Sequence, residues 1–295
     1  MRPGHGGPDR RRLPGAVTSA EAPTAARGGP PRRRRAQRVP AALLVPALAG
    51  LLFLVLPLAG LVVRAPWASL PQRLTEPGAL TALRLSVQTA TVATLVCLLL
   101  GVPLAWLLAR ARFPGRRLVR ALVTVPLVLP PVVGGVALLL VFGRRGLLGG
   151  WLDATFGFTL PFTTTGVVVA EAFVAMPFLV IAVEGALRGA DTRYEEAAAT
   201  LGAGRWTTFT HVTLPLVAPG VAAGAVLCWA RALGEFGATI TFAGNYPGVT
   251  QTMPLAVYQT IEGGDLDGAV VLSLVLLTVS VAILAGLRDK WITSA

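Results

Sequence analysis

The sequence predicts an all-α integral membrane protein with six transmembrane helices and both termini in the cytoplasm. Three observations predict it. The 295-residue chain is 54% hydrophobic and only 14% charged, with a mean hydropathy of +0.68, well outside the usual soluble range. Between its charged residues lie six mainly apolar windows, each near the roughly 20 residues that cross a hydrocarbon core of about 30 Å. Arg and Lys concentrate in alternate connections between those windows, as they do on the cytoplasmic side of membrane proteins.

The windows follow in order. The first is 39–63, between Arg38 and Arg64, and the second is 85–109, between Arg84 and Arg110. The third is 121–143. The fourth, 166–187, carries Glu171 and Glu184 towards its two ends. The fifth, 216–242, holds Arg231 and Glu235 inside it, and the sixth is 268–287. The 33 glycines and 23 prolines do not argue against this, because spanning helices tolerate both where neighbours re-satisfy the freed backbone groups.

Orientation follows from the loops. Arg110, Arg112, Arg116 and Arg117 follow the second window, Arg188, Arg193 and Arg205 the fourth, and Arg288 and Lys290 the sixth. The opposite connections hold Arg64, Arg73, Arg144 and Arg145, and the one after the fifth window is acidic, with Glu262, Asp265 and Asp267. The first set therefore faces the cytoplasm.

The net charge of +12 is no sign of a nucleic-acid partner. Ten arginines against Asp9 and Glu21 place +8 of it in residues 1–38. This Pro- and Gly-rich segment without apolar periodicity reads as a disordered cytoplasmic tail. Its Arg32–Arg35 run just before the first window reads as a topology anchor against anionic lipid. The apolar run beginning near residue 39 is too long for a cleaved signal peptide. The remaining 39–290 form one transmembrane domain.

Chemistry-bearing clusters are sparse. Cys97 and Cys228 lie in apolar windows, and His5 and His211 are far apart and unaccompanied, so neither a disulfide nor a metal site is suggested. No convergent nucleophile, base or metal ligands point to an enzyme, and no cofactor is implied. A Gly-x-x-x-x-Gly-Lys-Ser/Thr phosphate loop is absent from the sequence. ATP-driven work would need a separate ATPase subunit.

The longest cytoplasmic connection, 188–215, predicts a helix, a bend and a second helix. Asp191 can cap a helix whose first turn carries Glu195 and Glu196 and which continues through Ala197–Ala199. Gly202 is a natural left-handed stop. From about Gly204 a second piece brings Trp206, Phe209 and Val212 towards one face. Pro215 is expected to hold Leu214 extended and to begin the fifth span. The aromatic face needs cover, either from lipid headgroups or from a second protein.

Glu196-Ala197-Ala198, three residues, Gly202, nine residues and Val212-Thr213-Leu214-Pro215 resemble the EAA-x3-G-x9-I-x-L-P signature of membrane subunits of bacterial ABC importers. Val212 in place of Ile is the one departure. In that family the loop forms coupling helices that seat in a cleft of the ATPase. The resemblance therefore implies docking by Glu195, Glu196, Ala197, Ala198, Gly202 and Arg205, and a type I ABC importer permease fold. FPGRR (113–117), PLVLPPVVGG (126–135), FGRRGLLGG (142–150), GEFGATITFAGN (234–245) and TMPLAVY (252–258) are similar to stretches of molybdate and tungstate permeases. Sulfate and thiosulfate permeases are near relatives. Phe236 followed by Gly237-Ala238-Thr239 favours molybdate.

The resemblance implies two copies of this chain forming the pore in a bacterial cytoplasmic (inner) membrane, two ATP-binding cassette ATPase subunits below, and an external substrate-binding protein. The cargo is a tetrahedral oxyanion, moved by alternating access, and the binding protein chooses which one. The rival from another class is an ATPase-independent secondary transporter, with Arg231 and Glu235 as its ion relay. Either way Arg231, Glu235 and Thr239 are candidate pathway or gate residues. On one continuous helix entering near Leu216, Arg231 lies about 22 Å in and Glu235 about 28 Å in, on one face with Thr239.

Overall fold

The computed structural model describes residues 41–292. The basic tail 1–38 lies outside the described residues. The chain divides into two units between Leu51 and Leu52. The first, residues 1–51, is described from residue 41, where it holds the first part of helix α1 (Ala41–Val63).

The second unit holds the rest of α1 and every later element. These are α2 (Leu70–Leu74), α3 (Pro77–Arg110), α4 (Arg116–Val128), α5 (Pro131–Phe142), α6 (Gly149–Phe156), α7 (Thr164–Gly189), α8 (Arg193–Thr200) and α9 (Arg205–Thr208). A π-helical turn (Phe209–Thr213) leads into α10 (Leu214–Leu233), followed by α11 (Gly237–Phe242), α12 (Met253–Glu262) and α13 (Leu266–Ile292). Among the described residues there is no strand.

Among the described residues five helices are long and apolar enough to cross a membrane: α1, α3, α7, the run from α9 through α10, and α13. The third expected span, 121–143, is not one helix. It is the pair α4 and α5, bent by 118°. Leu129 and Pro130 take extended backbone angles at the bend, and Pro131 opens α5. A proline denies the α conformation to the residue before it and supplies no amide to the preceding turn. Two in succession therefore break the helix in mid-window.

The second span begins earlier than expected, at Pro77 instead of 85, because Pro77 stands at the first helical position, where its missing amide costs nothing. At 34 residues and 1.5 Å each, α3 is about 51 Å long. The fourth, at Thr164–Gly189, lies within two residues of the expected window, its start capped by Thr163 Oγ1, which accepts from Gly166 N at 3.0 Å. The sixth extends beyond 268–287 to Leu266–Ile292.

The fifth expectation, a helix over 216–242, needs two corrections. Leu214 is helical, with φ −63° and ψ −46°, so the span begins at Arg205 and takes the end of the 188–215 loop into itself. The wide turn makes this possible. Leu214 N–H donates to Phe209 O, five residues back, and the widening gives the Pro215 ring room where an α-turn would bring it against a carbonyl. At the other end the helix stops at Leu233, and Gly234–Phe236 separate it from α11.

The core is a three-helix packing of α3, α7 and α10. Ala90, Ala93, Cys97, Ala105 and Leu108 meet Ala172, Ala175, Leu179, Val180, Val183 and Leu187, with Val217, Cys228, Ala232 and Leu233 from the third helix. Small residues set the spacing. A Cβ at Gly224 would stand 3.0 Å from Ala182 Cβ, and one at Gly220 would overlap Ala186 Cβ outright. Lipid offers no hydrophobic drive between helices, so close van der Waals packing of this kind is what holds them. A second cluster, including Leu138, Ala170, Val174, Ala238 and Phe242, seats α11 between α5 and α7.

Candidate coupling segment and buried charge cluster

Helix α8 is short and defined at both ends. Asp191 Oδ1 accepts from Arg193 N at 3.0 Å. At the other end Gly202 N donates to Ala199 O and Ala203 N to Ala198 O, both at 3.0 Å, the paired bonds of a Schellman stop. Gly202 has φ +84°, and a Cβ there would meet nothing within 4 Å. The demand for glycine is therefore in the backbone alone. Glu196 and Ala197 are exposed, Ala198 is half-buried, and Arg205 opens α9 exposed to its surroundings.

The neighbouring carboxylate behaves otherwise. Glu195 Oε1 accepts from Arg110 Nη2 at 3.0 Å and from Thr213 Oγ1 at 3.1 Å. It faces inward, away from the surface that Glu196 occupies. A cavity of about 660 Å³ lies beside it, lined in part by Trp106, Arg110, Arg112, Arg205 and Phe209. Phe209 packs edge-on against Trp106 with centroids 6.1 Å apart, while Trp206 remains 75% exposed.

Arg231 and Glu235 do meet. Arg231 Nη2 lies 2.6 Å from Glu235 Oε2, an ion-pair contact whose angles fall short of a hydrogen bond. Glu235 is 1% exposed, and its other oxygen accepts from Ala238 N at 2.8 Å. It thus serves the first turn of α11. The expectation that Thr239 shares a continuous face with the pair is corrected here. The break at Gly234 puts Thr239 on α11, fully buried, with no hydrogen-bond partner for its hydroxyl among the described residues. The depths that assumed one unbroken helix fail with it.

Two further contacts involve charged residues to which the sequence assigned no role at the site. Glu171 on α7 is 1% exposed, and its Oε1 accepts from Thr89 Oγ1 of α3 at 2.9 Å. A carboxylate inside an apolar window was the available signal. Arg120 on α4 reaches Glu184 at 2.6 Å, and Arg188 reaches the same oxygen at 2.8 Å, clamping α4 to α7.

Away from this cluster, Arg73 of α2 meets Asp265 at 2.5 Å. The Arg73 guanidinium, with help from Gly268 N–H, holds the Asp265 carboxyl below its ordinary range, and the same bond raises Arg73. Among the described residues no group of three or more His, Cys, Asp or Glu could hold a metal ion.

Residues 101–294 match the model of the family described as "Binding-protein-dependent transport system inner membrane component". The molybdenum transport system permease protein ModB of Mycobacterium tuberculosis is 50% identical over 253 residues, covering 85% of this chain and 95% of that protein. ModB of Escherichia coli K12 is 45% identical over 213 residues, covering 72% and 92%. The sulfate transport system permease protein CysT of Escherichia coli K12 is 38% identical over 236 residues, covering 79% and 85%. Among solved structures, a bacterial ABC transporter involved in the import of the acidic polysaccharide alginate matches with a TM-score of 0.70 at 18% identity, over 85% of this chain and 93% of that one. The MetNI methionine ABC transporter matches at 0.56 and 20%, over 75% and 100%. These two likenesses show the all-helical type I importer fold. A multi-pass membrane subunit that carries no catalytic role of its own, the chain belongs to the binding-protein-dependent transport system inner membrane component family, the permeases of ABC importers.

Proposed function

We propose that this chain is the pore-forming permease subunit of an ATP-driven importer that moves molybdate, or its close analogue tungstate, across the bacterial inner membrane. It works as a homodimer with two ATPase subunits and an external binding protein, with both termini in the cytoplasm. The observation that carries the reading is the build of 191–215. A short helix with a fixed stop presents Glu196, Ala197 and Gly202 at the surface beside the half-buried Ala198, and the following helix runs without interruption into a span.

That arrangement suits a docking element. Movement of an ATPase against α8 and α9 is movement of a membrane helix. Two states of the helix bundle, biased by ATP, then expose the pore to one side and the other in turn. Glu196, Ala197, Ala198, Gly202 and Arg205 are the proposed docking residues, while the carboxylate of Glu195 is engaged within the chain. The choice of molybdate rests on the ModB relatives at 50% and 45% identity, against 38% for the sulfate permease.

Uptake of labelled molybdate and sulfate in cells lacking this chain tests the substrate. Molybdate uptake is expected to fall and to return with the gene, and sulfate uptake to stay. Loss of sulfate uptake alone would move the assignment to the sulfate permeases. Glu196→Lys is expected to leave the chain inserted while the ATPase no longer co-purifies with it or hydrolyses ATP without transport. Normal assembly and transport in that variant would end the docking reading.

A further inference from the structure

Adjacent residues on an α-helix point about 100° apart, so Glu195 and Glu196 face different surroundings. Glu196 is exposed, whereas Glu195 is turned onto the chain's own framework, its side chain 21% exposed and that of Arg110 17%. A single oxygen of Glu195 accepts from Arg110 Nη2 and from Thr213 Oγ1. Arg110 is the last residue of α3. Thr213 ends the wide turn, is 2% exposed, and stands immediately before α10. One carboxylate thus joins α8 to the ends of two core helices.

The covalent connections of α8 are looser. On one side it is joined to α7 through 190–192, on the other to α9 through 201–204, which holds the left-handed Gly202. Neither linker continues the helix, so a load applied to α8 has no helical path into α7 or α10. The Glu195 contacts bridge the linkers. Among the described residues Glu195 is the one carboxylate paired with Arg110, and the pair is mostly shielded from solvent. Charge-assisted hydrogen bonds in such surroundings hold more firmly than exposed ones.

We propose that Glu195 is a positioning residue, a strut that makes α8 move as one piece with α3 and α10. It links ATP hydrolysis to transport without touching the ATPase. The proposal rests on the docking reading given above and deepens it. Arg110 and Thr213 are the strut's seats. Removing the strut leaves docking in place but lets α8 yield under load.

The test uses the complete complex in proteoliposomes, with ATP hydrolysed and molybdate accumulated measured together. For Glu195→Gln and Arg110→Gln, the ATPase is expected to co-purify and to hydrolyse, while molybdate moved per ATP falls roughly tenfold. The exchange Arg110→Glu with Glu195→Arg is expected to recover much of that ratio. A parental ratio in both single variants overturns the proposal. Loss of ATPase co-purification in Glu195→Gln overturns it too, by making Glu195 a docking residue. Failure of the docking reading is a separate outcome, seen when Glu196→Lys assembles and transports normally. Should the single variants not insert, a Cys97→Ser, Cys228→Ser background carrying Arg110→Cys and Glu195→Cys decides. Joining the two thiols with a short bifunctional reagent is expected to raise the molybdate moved per ATP. Arrest of transport on joining them would show that α8 and α3 must part during the cycle, and the strut would be disproved.

Discussion

Glu235 shows how much a single residue can carry beyond its charge. In the sequence it is an acid four residues after Arg231, which reads as an ion pair along a helix. In the structure it also accepts the Ala238 amide and so opens α11 after the Gly234 break. The two roles separate by substitution. Glu235→Gln keeps an acceptor for Ala238 and loses only the ion pair, so it is expected to be the mildest change. Arg231→Ala leaves a buried carboxylate without its counter-charge and is expected to cost about 3 kcal/mol. The exchange Arg231→Glu with Glu235→Arg should not recover stability, because arginine has no acceptor to offer the α11 amide. Thermal unfolding of the purified chain in detergent measures all three. Full recovery in the exchange would show that the cap is unimportant and the pair is everything.

The helices divide by how visible they were in the sequence. The α7 window was legible to within two residues, since its ends are set by a capping threonine and a run of charge. The helix and stop at Glu195–Gly202 were legible too, because alanines, first-turn acids and a glycine are local signals. What stayed hidden was set by geometry that hydropathy does not sense. Window 121–143 is apolar throughout its middle, and only Pro130 and Pro131 record the 118° bend. The π-turn leaves no mark except Leu214-Pro215, which reads equally as an extended residue before proline. The direction of Glu195 depends on Arg110, 85 residues away, and no local pattern specifies it. Packing between elements gives a prediction of its own. Gly220→Ala would drive a methyl group into Ala186, and overpacking of this kind costs about 1–3 kcal/mol. Adding Ala186→Gly is expected to return most of that loss in the same unfolding measurement. A Gly220→Ala variant as stable as the parent would show that α7 and α10 can move apart freely.

At the scale of the whole chain, the even-numbered connections carry the basic residues, and the proposed topology follows from them. Reporter fusions after Arg117, Gly202 and Ala295 are expected to report cytoplasm, and fusions after Arg73, Gly149 and Gly264 the opposite side. An external reporter at Gly202 would remove α8 from any ATPase. The same side of the molecule holds one more consequence of the wide turn between Phe209 and Thr213. That turn carries one residue more than an α-turn, a phase lag of about 100° on a helix of 3.6 residues per turn. The proposed docking end and the membrane end of the 205–233 rod are therefore keyed like two cams on one shaft, each presenting its own side. Torque passes through the shaft, but the angle between the cams is written into the length of five residues. One inserted or deleted residue there would leave both ends intact and still turn Trp206 and Arg205 to a different quarter of the compass.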